Sequence, residues 1–255
     1  MLRSAKDLQG YTLHATDGDI GTVRTFYFDD ENWYIRYLVV VTGSWLSGKR
    51  VLLSPVTLRD PLLGTQQLPV NLTQEQVRNS PDIDTDRPVS RQQEIALYTH
   101  YNWPAYWTMR DPLVAQSLTA RPGSAPIPPP GAPPDTLEPI DAPRLNVHLR
   151  SMREVIGYHI QASDGQIGHV EDFIIDTDIW NVRYVVVDTR NWLPGKHVLV
   201  APDWIQEVNW TDAQVHVALS RDRIKDSPEF DATEPVNRDY ELKLYDYYGR
   251  PTYWS

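Results

Sequence analysis

The stretch ATDGDIGTV (Ala15–Val23) decides the fold of this chain, because it returns 147 residues later as ASDGQIGHV (Ala162–Val170). In each copy the Asp-Gly pair is a strong signal for a tight turn between two strands. The next glycine, Gly21 or Gly168, predicts a bulge or a close approach of two backbones. Both stretches are therefore predicted to form the first hairpin of a small β-module.

Ligand binding is the competing interpretation of the same stretch. A calcium loop needs oxygen ligands at alternating positions and a late bidentate carboxylate, yet Gln166 stands where the first copy has Asp19. A dinucleotide loop needs three glycines that lead into a helix, whereas Gly18 and Gly21 lie between two strand patterns. The residues favour the hairpin.

The repeat extends far beyond this stretch. Between Ser4–Leu53 and Ser151–Val200, 23 of 50 positions are identical without a gap. The register still holds at the ends of the copies, where ALYTHYNWPAYW (Ala96–Trp107) aligns with KLYDYYGRPTYW (Lys243–Trp254). Repetition at a fixed offset indicates one module used twice.

We place the first module at residues 1–112, the linker at 113–147 and the second module at 148–255. Nine prolines in residues 121–143 disfavour helix and sheet, so this segment is predicted to be an extended, semi-rigid spacer. The gapless offset favours two complete modules over modules that exchange strands. It leaves open whether the two modules pack on each other as a pseudo-dimer.

Each module has the pattern of short strands followed by two short helices. Alternation along WYIRYLVVV puts Trp33 and Tyr37 on one face, which we predict to be the core. Trp180 takes the place of Trp33 in the second copy and is predicted to be buried on a central strand. Helix starts are predicted after Thr73, which has a capping-box pattern, and after Ser220.

The pattern that recurs in the two copies is similar to that of a known family. The Gly-Tyr pair, the Asp-Gly turn, the Arg-Tyr strand and the Trp-Leu-x-Gly-Lys hairpin, found in Leu8–Pro55 and again in Val155–Pro202, resemble the PRC-barrel domain. That family includes the cytoplasmic domain of the photosynthetic reaction-centre H subunit. The resemblance implies a mainly β fold of two tandem small antiparallel PRC-type β-barrels, each with short C-terminal helices. It also implies a structural, protein-binding role.

Composition limits the classes of function. The chain has 255 residues, no cysteine and a net charge of −10. The lack of cysteine excludes disulfides and thiolate metal sites, and the acidic balance argues against nucleic-acid binding. No window approaches the roughly 18 apolar residues of a membrane helix, and the first residues do not resemble a signal peptide. We expect a cytoplasmic protein without an integral membrane segment.

Few residues suggest catalysis or cofactor binding. None of the seven histidines lies in an HxH or HExxH spacing, and His197 aligns with Arg50 of the first copy. The acidic loop that contains Asp82, Asp84 and Asp86 has a spacing that can chelate a hard cation, but we interpret it as solvated acids after a helix. We predict no catalytic residue, no cofactor and no metal site, and hence not an enzyme.

Two residue types recur at positions suited to contact with another protein. An arginine lies on a mostly apolar strand in each copy, where it pairs either with a turn carboxylate, Asp29 or Asp176, or with a partner. A tryptophan near each hairpin tip either covers the barrel end or anchors a partner. The candidate partner contacts are Trp45, Trp192, Arg36 and Arg183.

The predicted function is a non-catalytic scaffold or adaptor that mediates protein–protein interaction, with a partner whose identity is unknown. Two alternatives stay open. One is a barrel that binds a small ligand or a metal, with a pocket between the copies. The other is a soluble relative of the reaction-centre H subunit that associates with a membrane complex.

Overall fold

The computed structural model describes residues 1–59, 65–83, 89–107, 148–189 and 196–254. The predicted linker at 113–147 lies outside the described residues. Within the described ranges the chain is mainly β, with two sheets and six α-helices.

The elements follow the same order in both copies, with one additional strand in the second. The first copy contains β1 (Leu2–Ser4), α1 (Ala5–Leu8), β2 (Thr12–Ala15), β3 (Gly18–Asp29), β4 (Ile35–Thr42), β5 (Arg50–Leu53), β6 (Gln67–Pro69), α2 (Gln74–Arg78) and α3 (Arg91–Tyr101). The second copy contains β7 (Leu149–Ser151), α4 (Met152–Val155), β8 (His159–Ala162), β9 (Gly165–Asp176), β10 (Asn181–Asp188), β11 (His197–Val200), β12 (Ile205–Asn209), β13 (Gln214–Val217), α5 (Arg221–Lys225) and α6 (Arg238–Tyr248). Short 3₁₀ helices span Ser44–Leu46, Pro55–Thr57 and Pro202–Trp204.

Both sheets are mixed. One runs in the order β5-β4-β3-β2-β6 and the other in the order β11-β10-β9-β8-β13-β12. Neighbouring strands are antiparallel except for β2 with β6 and β8 with β13, which are parallel, so the prediction of wholly antiparallel modules is wrong for these pairs. Among the described strands neither order returns to its starting strand, and closure of each copy into a barrel stays a prediction.

The two copies exchange their first strands. β1 of the first copy pairs with the second half of β9, and β7 of the second copy pairs with the second half of β3. The prediction of two complete modules is therefore wrong. β9 has room for a further strand, because it has 12 residues whereas β8 has four and covers only its first half. The exchanged strand covers the edge that would otherwise expose unpaired backbone groups.

The glycines after the Asp-Gly turns allow two backbones to touch. A Cβ on Gly21 would lie 2.0 Å from the carbonyl oxygen of Val41, and a Cβ on Gly168 would lie 2.1 Å from that of Asp188. No side chain fits at such a distance. The predicted close backbone approach is confirmed in both copies, and a break in the β2–β3 and β8–β9 registers accompanies it.

The turn aspartates also fix the helices that follow the strands. Asp17 Oδ1 accepts a hydrogen bond of 2.8 Å from the backbone N–H of Gln74 at the start of α2, and Asp164 does the same for α5. The predicted N-caps are confirmed, since Thr73 closes a capping box and Ser220 accepts a bond from the first turn of α5. The turn carboxylate is therefore a helix cap.

The predicted core face is correct at Tyr37 and wrong at its tryptophan end. Tyr37 is 0% exposed, and its hydroxyl donates a 2.7 Å hydrogen bond to the buried Glu94 of α3. Trp33 and Trp180 precede the strands, are only partly buried and have φ angles of 61° and 52°. The left-handed conformation places them in the hairpin turns, where the alternation of a strand no longer applies.

Candidate functional site

The two copies meet at these hairpin turns through reciprocal hydrogen bonds. The carbonyl oxygen of Trp33 accepts the N–H of Val182 at 2.8 Å, and the carbonyl oxygen of Trp180 accepts the N–H of Ile35 at 2.8 Å. A left-handed conformation costs a residue with a side chain about 1–2 kcal/mol. The bonds between the copies offset that cost, because the left-handed turn directs each carbonyl at the other copy.

Aromatic side chains fill the junction beneath these bonds. Trp33 stacks on Phe28 with ring centroids 5.2 Å apart, and Phe28 lies 5.8 Å from Phe173 of the second copy. The ring of Trp180 packs against that of Phe26 of the first copy, with ring centroids 6.3 Å apart. Since both tryptophans and the three phenylalanines pack together, the junction is an apolar contact rather than a solvated hinge.

A cleft of about 320 Å³ opens beside this junction. Trp33 and Tyr34 of the first copy form one wall, while Arg183, Asp203 and Tyr253 of the second copy are part of the other. Its volume lies at the small end of the range for ligand pockets, roughly 300–1,000 Å³. The cleft can therefore take one or two side chains of another molecule.

The second wall is held in place by a buried carboxylate. Glu241 of α6 is 2% exposed and accepts hydrogen bonds from Tyr184 at 2.7 Å and from Tyr253 at 2.9 Å, while Arg238 lies 3.1 Å from its other oxygen. Burial, together with Glu241, raises the pKa of Tyr253 to about 12. Its hydroxyl is therefore a neutral donor at physiological pH, and its ring stays fixed beside the cleft.

Both predicted arginines pair within the chain. Arg36 lies 2.9 Å from Asp29 and Arg183 lies 3.4 Å from Asp176, which confirms the expected intramolecular pairs. The guanidinium group of Arg183 also stacks over Tyr253 at 4.1 Å, and its side chain keeps 21% of its surface exposed. Arg183 lines the cleft, and it is the predicted contact that the structure places at the candidate site.

Of the two predicted tryptophan contacts, the structure describes Trp45, which does not line this cleft. Trp45 is partly buried, and its Nε1 donates a 2.8 Å hydrogen bond to the carbonyl oxygen of Ile20 in its own copy. This bond favours the interpretation in which Trp45 covers the end of its own module over the one in which it anchors a partner. Trp192 lies outside the described residues.

The acidic loop that follows α2 is described only in part. Asp82 has a side chain that is 88% exposed and lies 3.5 Å from the amino group of Lys49. Asp84 and Asp86 lie outside the described residues. The surroundings of Asp82 fit a solvated acid.

A second polar cluster has no sequence motif, because its members come from three different strands. One oxygen of Glu171, one of Asp188 and one ring nitrogen of His197 lie within 4.8 Å of one another. The spacing of the three residues in the sequence matches no short metal motif. A signal was present in the expected hairpin, however, since its register sets Asp188 opposite His197.

Comparison of the sequence with protein-family models gives no match, and comparison with curated proteins gives none either. Within the part of the chain that the structure describes, no helix combines the length and the apolar character needed to cross a membrane.

Proposed function

We propose that this chain is a non-catalytic adaptor, built from two PRC-type β-barrel modules, that binds a protein partner in the cleft between its copies. The observation that carries the proposal is the composition of the cleft. Trp33, Tyr34, Tyr253 and Arg183 face one opening, and aromatic residues and arginine are the types most enriched at protein interfaces.

The cleft is suited to an extended segment that places a side chain against aromatic rings and a hydrogen-bond acceptor beside Arg183. Arg183 retains exposed surface although it pairs with Asp176, and a guanidinium group has several donors, so it can bind an acceptor of the partner as well. Tyr34 is 41% exposed and offers a ring at the rim. Tyr253 is fixed by Glu241, so little conformational entropy is lost when a partner binds against it.

The proposal of PRC-type modules rests on the duplicated sequence pattern and on the shared strand order of the two copies. Strand exchange joins the modules, so the partner meets one composite surface rather than two independent sites. A protein partner, rather than nucleic acid, fits the net charge of −10, and the proposed location is the cytoplasm.

Photo-crosslinking in the native cell tests the proposal. A photoreactive amino acid is placed at Tyr34 in the cleft and, as a matched control, at Leu242, which is 49% exposed on α6. We expect a discrete protein adduct from position 34 and none of that mass from position 242. Equal adducts at both positions, or none at position 34, would contradict the proposal.

A further inference from the structure

Four side chains that can ligate a metal meet on three adjacent strands of the second copy. Asp188 at the end of β10 stands opposite His197 at the start of β11 and opposite His169 on β9. Residues directly opposite each other on antiparallel strands share one face of the sheet. The register therefore gathers two imidazoles around one carboxylate.

Glu171 joins this group through a bulge in β9. Val186 pairs with Asp172 and Val187 with Val170, so Glu171 is the extra residue between them. A bulge directs a side chain away from its regular position. Here it brings Glu171 Oε2 to 2.6 Å from His197 Nε2.

We propose that Glu171, Asp188 and His197 form a binding site for one divalent transition-metal ion, and that zinc is the ion that fits best. The three donor atoms lie within 4.8 Å of one another. On a tetrahedral zinc ion with bonds of about 2.0–2.1 Å, donor atoms are roughly 3.3 Å apart. Small side-chain movements bring the three atoms to that spacing.

Two of the donor atoms are shielded from solvent and face each other. Glu171 Oε2 and His197 Nε2 lie 2.6 Å apart as an ion pair, and neither makes a well-directed hydrogen bond to any described group. A cation bound between them would give both atoms a ligand bond in place of this contact. The side chain of Asp188, only 2% exposed, lies beside them.

The chemistry of the donors selects the class of metal. One imidazole with two carboxylates suits zinc and its neighbours, whereas calcium and magnesium prefer oxygen ligands alone. His169 Nε2 lies 3.8 Å from Asp188 and can act as a further donor. Lys6 Nζ holds the other oxygen of Glu171 at 3.1 Å, as outer hydrogen bonds orient carboxylate ligands in metal sites.

Glu171 is also held by the first copy. Lys6, whose amino group lies 3.1 Å from Glu171 Oε1, belongs to α1 of the first copy, beside the exchanged strand. The ion would thus bind where the first copy crosses onto the second sheet.

The first copy supplies an internal control. Its residues at the equivalent positions are Arg24, Val41 and Arg50, none of which is a ligand for such an ion. The chain is therefore expected to bind one ion and not two.

Isothermal titration of the full chain with ZnCl₂, after dialysis against a chelator, tests the site. We expect one equivalent to bind, Mg²⁺ to give no competing signal, and His197→Arg and Glu171→Gln each to weaken binding at least about tenfold. His14→Gln is the matched control, because His14 also lies 2.6 Å from a carboxylate, that of Asp19, but outside the cluster. It should bind zinc like the wild type.

Imidazole NMR of the wild-type chain keeps the proposal testable if a variant does not fold. Addition of one equivalent of Zn²⁺ should shift the His197 ring signals and leave those of His14 in place. A wild-type chain that retains no zinc, zinc binding that is unchanged in both cluster variants, or an unshifted His197 ring would each overturn the proposal.

Discussion

The carbonyl oxygen of Trp33 accepts a hydrogen bond of 2.8 Å from the backbone N–H of Val182, across the junction between the two copies. The equivalent bond joins Trp180 to Ile35. Together with the exchanged strands, these bonds make each copy depend on the other for part of its backbone pairing. The two modules therefore behave as one structural unit.

Cleavage of the chain between the modules should not separate them. If a protease site is inserted after Gly131 and cut, the halves should still elute together in size-exclusion chromatography, because each half contributes a strand to the sheet of the other. As a control, deletion of residues 1–8 before cleavage removes one of the two exchanged strands and should promote dissociation. Halves that separate without this deletion would show that the exchange does not hold the modules together.

Trp180 provides a test of the left-handed turn. Trp180→Ala should destabilise the chain by about 1–3 kcal/mol, less than the loss of a fully buried aromatic residue, because the side chain is only partly buried. Trp180→Gly removes the same ring but fits φ = 52° without strain, so it should be about 1 kcal/mol more stable than the alanine variant. Urea unfolding measures both, and an alanine variant more stable than the glycine variant would refute the assignment.

The free energy of unfolding should depend on the hydrogen bonds that Tyr184 and Tyr253 donate to the buried carboxylate of Glu241. Tyr184→Phe removes the 2.7 Å hydrogen bond to Glu241 and should cost about 1.5–3 kcal/mol, as expected for hydrogen bonds to charged groups. Tyr34→Phe, at an exposed position, is the control and should change the free energy of unfolding by less than about 0.5 kcal/mol. Similar losses in the two variants would argue against a special role for Glu241.

Alkaline pH should destabilise the chain through its buried tyrosines. Burial, and then the charge of Glu94, raise the pKa of Tyr37 well above its ordinary value, whereas in the unfolded chain the hydroxyl titrates near pH 10. The unfolded state therefore binds fewer protons above that pH, so this stabilisation is complete below about pH 10 and declines as the pH rises further.

Urea midpoints measured between about pH 8 and pH 11 should decrease above pH 10, and the decrease should be shallower for Tyr37→Phe. Tyrosinate absorbance should appear together with unfolding. A midpoint that does not change across this range would show that Tyr37 is not protected as the structure indicates.

Local signals predicted much of the fold. The Asp-Gly turns, the N-caps Thr73 and Ser220 and the arginine–carboxylate pairs were all predicted correctly, because each depends on residues close in sequence or on a single hairpin register. The same holds for Gly21, where a short pattern predicts a backbone contact.

The features that were not predicted depend on distant partners. The three-residue strand Leu2–Ser4 has no alternation of its own, and its pairing is set by the edge that β9 leaves open. Trp180 was placed on a strand because alternation does not reveal a left-handed turn. Glu171, Asp188 and His197 come together only once three strands and one bulge are in register.

If the junction cleft binds a protein partner, the affinity for that partner should depend on Arg183, which lines the cleft. The measurement is the affinity of the full chain for the protein captured by cross-linking at Tyr34, compared between wild type, Arg183→Gln and the control Arg59→Gln, whose side chain bonds Asn71 elsewhere in the first copy. We predict that Arg183→Gln weakens binding at least about tenfold, as for an interface arginine worth more than about 1.4 kcal/mol, while Arg59→Gln binds like wild type. Equal affinity of all three chains would contradict the claim.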